Sequence, residues 1–175
     1  LYPRWELLFP PAELCGLYFI EIGANCGTDT CTHSGDPFWA HQRDYSWQGA
    51  VIEANPATFA HLTSNYAPFP RVRPLNIAVS NVSGALDFFC PLPGRGTPEM
   101  CTLSREWAAH NGWRSAQHRQ HVQALSLAEV WDRLRPPHVD LLGVDVEGVE
   151  ERILGYGNLP TPPTGSSAQG PGRAR

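Results

Sequence analysis

Apolar and polar positions along the chain switch between two periods. Short apolar runs at 17–22, 50–54, 72–80, 85–89, 121–125 and 139–146 have the length and character of strands, the first and last being buried ones. Between them lie stretches with helical spacing. Asn55-Pro56 supplies a cap and a first-turn proline for a helix to about Tyr66, with Phe59, Leu62 and Tyr66 on one face. Ser126 with Glu129 forms a capping-box pattern ahead of a helix to Leu134, and 147–154 reads as helical. Thr28, Asp29 or Thr30 could cap a helix behind the first strand. Asp36-Pro37 opens another that would carry Phe38, Trp39 and Tyr45. Trp47-Gln48-Gly49 reads as a turn, 91–98 as a Gly/Pro loop, and 100–121 as loop plus a short helix.

Strands alternating with helices predict an α/β fold with a doubly wound, mainly parallel sheet. Ligands of such sheets sit outside the carboxyl ends of the strands. Three predicted strand ends carry acids, Glu21, Glu53 and Asp145, which would converge on one crevice. Behind the first comes "FIEIGANCGTDT", with Gly23, Asn25 and Gly27 in a row. Glycines there serve a tight turn or let backbone approach a ligand. Asn25 stands where a dinucleotide fingerprint has its second glycine. Glu21 and Asp29 bracket the turn with negative charge, which repels a pyrophosphate and suits a ligand with an ammonium and a sulfonium. S-adenosylmethionine has both. Glu53, at the end of the second strand, suits a ribose diol.

Composition narrows the picture. The chain has 175 residues, one domain's length, and a net charge of −4, with no nucleic-acid footprint. Every basic residue is Arg, which removes Lys-based Schiff-base or P-loop chemistry. No apolar run reaches membrane-spanning length. The 5 cysteines fit no zinc spacing, and their odd count reads as reduced, partly buried thiols of an intracellular, cytoplasmic protein. Asn81-Val82-Ser83 is a glycosylation sequon of a kind frequent by chance. Residues 1–16 read as a lead-in, 17–154 as the domain, and 155–175 as a low-complexity tail that cannot bury enough surface to order itself. The start at Leu1, with no signal peptide, reads as that of a fragment.

Four segments taken together, "FIEIGANCGTDT", "WQGAVIEANPATFAHLTSNYA", "LNIAVSNVSGALDFF" and "VDLLGVDVEGVEERIL", resemble the FkbM-type methyltransferases in order and spacing. The resemblance covers 17–154 apart from 91–120. It implies a Rossmann-like class I methyltransferase fold, S-adenosylmethionine as donor, and a hydroxyl acceptor on a sugar, glycan or small natural product. By position, Glu21, Gly23, Asn25 and Gly27 would form the loop at the cofactor's methionine end. Glu53 would hold the ribose, with Ala54 and Asn55 beside it. Asn76 to Ser80, including Ala78 and Ser80, would lie near the adenine. Asp145 and Glu147 would sit by the methyl group and the acceptor. The family fold has further strands after the D-V-E-G-x-E helix, so the sheet is expected to be truncated at its C-terminal side.

Methyl transfer from a sulfonium needs alignment and, for a hydroxyl acceptor, a base. Asp145 and Glu147 are the candidates, because alternation along an extended stretch would put both on one side. Two carboxylates are too few for a dedicated metal site. Glu147 could equally be a first-turn helix acid, Glu150 and Glu151 a solvated helix face, and Asp140 a cap at the strand entry. His110, His118 and His121 read as surface residues, and Trp107 and Trp113 as packing. Two other functions compete: a nicotinamide-dependent oxidoreductase on the same fold class, and a degenerate methyltransferase-like domain without activity.

Overall fold

The computed structural model describes residues 10, 14–28, 38–93, 96–97, 100–113 and 117–155. The expected caps at Asp29, Thr30 and Asp36, and the tail from 156 onward, lie outside these residues; the helix expected to open at Asp36-Pro37 begins at Trp39, with Phe38 at its cap position and no side-chain cap.

Among the described residues, seven strands and five helices follow in chain order: β1 (Tyr18–Ile22), α1 (Trp39–Tyr45), β2 (Gln48–Ile52), α2 (Pro56–Tyr66), β3 (Val72–Leu75), β4 (Ala78–Ser80), β5 (Gly84–Pro91), α3 (Arg105–His110), β6 (Gln117–Ser126), α4 (Leu127–Leu134), β7 (Leu141–Val144) and α5 (Glu150–Leu154). Four of the strands make an all-parallel sheet in the order β3-β2-β1-β7. The other three make a second sheet, β4-β6-β5, with β4 parallel and β5 antiparallel to β6. This is an α/β architecture with a mostly parallel sheet.

Strands β1 and β2 are buried on both faces, which explains their unbroken apolar runs, whereas β7 at the edge of the sheet is only half-buried, unlike the buried strand expected at 139–146. Alternate side chains separate to the two sides. Ile20, Ile22 and Ile52 pack with Leu127 and Val130 of α4 and with Val149 and Ile153 at α5. Phe19 and Val51 pack on the other side with Phe38, Trp47, Leu62 and Tyr66. Helices α1 and α2 therefore cover one face, and α4 and α5 the other.

Several sequence expectations change here. The run 72–80 is not one strand: it breaks at Asn76-Ile77, and its two halves enter different sheets. The break is held by Asn76, whose Nδ2 donates to the carbonyls of Glu53 at 2.8 Å and Ala54 at 3.3 Å. Trp47-Gln48-Gly49 is not a turn. The reversal occurs one residue earlier, at Ser46 in the left-handed region, and Trp47 is fully buried with its indole N–H on the Leu14 carbonyl at 2.5 Å. The expectation of reduced thiols is overturned: Cys90 and Cys101 form a disulfide between the end of β5 and the segment before α3, and Cys26 is also disulfide-bonded. Asp140 does join the strand entries, because its carboxylate accepts from Tyr18 N–H at 2.8 Å. Among the described residues no helix is long and apolar enough to cross a membrane.

The caps expected at Asn55 and Ser126 form. Asn55 Oδ1 accepts from Ala57 N–H at 3.1 Å, with Pro56 behind it. Ser126 and Glu129 complete a reciprocal capping box on α4. Substituting Ser126→Ala removes the cap, and urea denaturation should show a loss of about 1 kcal/mol.

Candidate functional site

The carboxyl ends of β1, β2 and β7 lie side by side, and one buried carboxylate ties two of them together. Glu53 follows β2 and is only 8% exposed. Its Oε1 accepts from Asn55 N–H at 2.6 Å and its Oε2 from Asn25 N–H at 2.9 Å. Gly23 and Ala24 N–H both donate to the Ile52 carbonyl, at 2.8 and 3.0 Å. The turn after β1 is thus sewn to the end of β2 from two directions. Burial pushes the Glu53 carboxyl up to about 6, against the opposing pull of the backbone N–H groups of Asn55, Asn25 and Ala54.

The glycines of the turn have packing reasons. A Cβ on Gly23, at φ 87°, would lie 1.7 Å from the Asp145 carbonyl oxygen. One on Gly27, at φ 73°, would lie 2.5 Å from the Tyr66 ring and 2.7 Å from Leu62. Gly23 lets the β7 end close against the turn, and Gly27 lets α2 do so. Asn25 takes the left-handed region at φ 53°, which Asn tolerates better than most residues, and this turns its N–H toward Glu53. Asn65 of α2 closes the far side through Cys26 O at 2.8 Å.

Glu21 is buried on β1, in register with Val51 and Gly143. Asp145 follows β7 and donates its N–H to Ile22 O at 2.9 Å. Partial burial, and Glu150 nearby, raise its carboxyl above the usual carboxylate range. The chain then leaves the extended conformation: β7 ends at Val144, and Glu147 has φ 60°. Alternation along a strand therefore does not bring Asp145 and Glu147 to one side. Helix α5 starts only at Glu150, so Glu147 is not a first-turn acid either.

Two contributors escaped the sequence reading. Glu150, expected to be solvated, accepts from Val146 N–H at 3.1 Å and Gly148 N–H at 3.0 Å and so fixes the loop carrying Glu147. Burial pushes its carboxyl up, but the N–H groups of Glu150, Val146, Gly148 and Glu147 hold it below its usual value. The second contributor is the segment 101–104. Thr102 is fully buried, pairs with Phe89, and donates its hydroxyl to Glu147 O at 2.6 Å. Next to it, Asn55 Nδ2 donates to Cys101 Sγ at 3.6 Å. This segment bridges the loop after β2 to the loop after β7. Trp107 of α3 continues the contact by packing on Gly148, and Trp113 packs against it at 5.3 Å between ring centroids.

The structure therefore brings together Glu21, Gly23, Asn25, Gly27, Glu53, Asn55 and Asp145, with Glu147 beyond them on a bent loop. Ala78 is buried in the cluster that Ala54 packs against. Ser80 lies further along β4, opposite Ser126 in the second sheet, and its hydroxyl bonds Asn81. Among the described residues no group of three or more His, Cys, Asp or Glu is arranged to hold a metal ion.

The model of the methyltransferase FkbM domain matches residues 21–165. Neither the curated proteins nor the solved structures give a match.

Two outcomes follow from this geometry. Gly23→Ala meets backbone rather than a movable side chain, so it should unfold the domain or lower its melting temperature sharply in a thermal scan. Glu53 binds its proton more tightly folded (about 6) than at the ordinary value of 4.5, so ionisation costs more in the folded chain. Stability should fall by about 2 kcal/mol as pH rises from about 4.5 through about 6 and then level off. Urea midpoints across that range, compared with Glu53→Gln, which does not titrate, check the slope.

Proposed function

Because the chain belongs to the FkbM methyltransferase family, we propose that it is an S-adenosylmethionine-dependent methyltransferase acting on a hydroxyl oxygen of a sugar or small natural product. The observation that carries the reading is Glu53, a buried carboxylate at a strand end whose two oxygens are aimed by backbone N–H groups. Such a group costs desolvation unless something uses it.

The donor set suits this cofactor. A carboxylate oxygen with one N–H already bound keeps lone-pair capacity for the hydroxyl hydrogens of a ribose. Residues 23–28 contain no basic side chain, and the buried acids Glu21 and Glu53 flank them. A pyrophosphate would meet like charge there and a cationic amino acid would not, which disfavours a nicotinamide dinucleotide.

In this reading Glu53 binds the ribose and Asn55 lines its edge. Glu21, Gly23, Asn25 and Gly27 shape the pocket for the amino-acid end. Ala78 supplies apolar surface for the base, with Ser80 at its margin. The sulfonium, when bound, supplies an already activated methyl group. The chain's part is then alignment, exclusion of water and removal of one proton. Asp145 is the base: its raised carboxyl suits accepting a proton from an acceptor hydroxyl at the crevice mouth. Glu147 holds the acceptor by hydrogen bond, on a loop whose shape Glu150 and Thr102 fix.

Isothermal titration with S-adenosylhomocysteine should show binding that Glu53→Ala abolishes. Affinity should rise as pH climbs toward about 6, because hydroxyl donors need the ionised carboxylate, and should plateau above it. Glu53→Gln should flatten that profile. A well-folded protein that gives no heat sinks the cofactor assignment. Asp145→Asn should leave this binding intact and lower turnover about 10²- to 10⁴-fold, read by methyl transfer to an accepted hydroxyl substrate.

A further inference from the structure

The link between β4 and β5 is an exposed turn that contains Asn81, Val82 and Ser83. It belongs to the second sheet, directly after Ser80. Asn81 Oδ1 accepts from Ser80 Oγ at 3.3 Å, so the side-chain nitrogen is the atom left for chemistry. Val82, the middle residue, is not proline and is 51% exposed, the largest exposure among the described large apolar side chains. Gly84 closes the turn at φ 123°, with open space where a Cβ would be. A bulky group on Asn81 would displace nothing in the core.

The cysteines carry a second and independent observation. Among the described residues, Cys90 and Cys101 are disulfide-bonded to each other, and Cys26 is also disulfide-bonded. Thiol pools of reducing compartments hold such pairs open, and an oxidising lumen or exterior keeps them closed. The Cys90–Cys101 link is also built into the fold, next to the Phe89–Thr102 pairing and the Asn55 contact. An Asn-x-Ser triplet is an acceptor pattern for secreted chains, which fold where disulfides form.

From these two features we infer that the chain folds in an oxidising secretory compartment and carries an N-linked glycan on Asn81. The donor class is an oligosaccharide on a lipid diphosphate. A bond forms between Asn81 Nδ2 and the first sugar's anomeric carbon while that carbon's bond to the phosphate oxygen breaks. The lipid diphosphate leaves with the electron pair, and the amide loses one proton. Ser83 belongs to the acceptor signal before the fold closes. In the folded chain its hydroxyl is engaged, accepting from Ser126 N–H at 3.0 Å and donating to Glu129. Transfer therefore precedes docking of α4. The inference does not depend on the methyl-transfer reading.

The test uses the protein isolated from its own cells, alkylated without reduction and digested. Amidase removal of N-glycans in heavy-oxygen water converts a glycosylated Asn81 to labelled Asp. The expected result is label at Asn81 together with a Cys90–Cys101 linked peptide. Unlabelled Asn81 overturns the glycan, and alkylated Cys90 and Cys101 overturn the compartment. When variants are returned to the same cells, Asn81→Gln should lose the glycan's mass and Ser83→Thr, which preserves the triplet, should keep it. A glycan that persists on Asn81→Gln also overturns the assignment.

Discussion

The Glu53 carboxylate is the constraint on which the arrangement of the strand ends depends. Strand β2 delivers it to a point where water is excluded, and there it is tolerable only with donors on both oxygens. Those donors come from different connections: Asn25 from the turn after β1, Asn55 from the cap of α2. Each donor has its own support. Asn25 reaches Glu53 because its backbone is left-handed, and Asn55 because its side chain is occupied capping the helix. The shape of the turn, the start of α2 and the position of the acid are one arrangement.

That arrangement explains what could be read from residues alone. The strands β1 and β2 are buried on both faces and β7 is apolar though only half-buried, so their apolar runs stand out, and the caps at Asn55 and Ser126 mark helix starts by side-chain chemistry that acts locally. Glu21, Glu53 and Asp145 could be grouped because parallel strands bring their carboxyl ends to one edge. What could not be read depends on contacts between distant parts. Nothing local shows that Asn76 turns its amide back on the Glu53 carbonyl and splits a strand between two sheets. Nothing near Glu150 indicates that it caps the preceding loop rather than facing solvent, since both roles suit an acid at a helix start. The disulfide pairing of Cys90 with Cys101 depends on the Phe89–Thr102 pairing, which is set by the fold.

The second sheet has a part in the site that its position would not suggest. Strand β5 brings in the disulfide and Thr102, and through them the two loops of the crevice touch a common support. The loop after β2 meets a sulfur atom there, and the loop after β7 meets a hydroxyl. Because Thr102 is fully buried, its hydroxyl has to be satisfied inside the protein, and the Glu147 carbonyl satisfies it.

Gly148 lies under Trp107 so closely that a single added carbon would fall 2.3 Å from the indole ring. The loop carrying Glu147 and helix α3 above it are therefore not independent in descent. A lineage that placed any side chain at 148 would first have to shrink residue 107, and one that lost the indole would open a gap over the glycine. Change at positions 107 and 148 is thus confined to paired steps, so drift in this loop has to pass through a less well-packed intermediate.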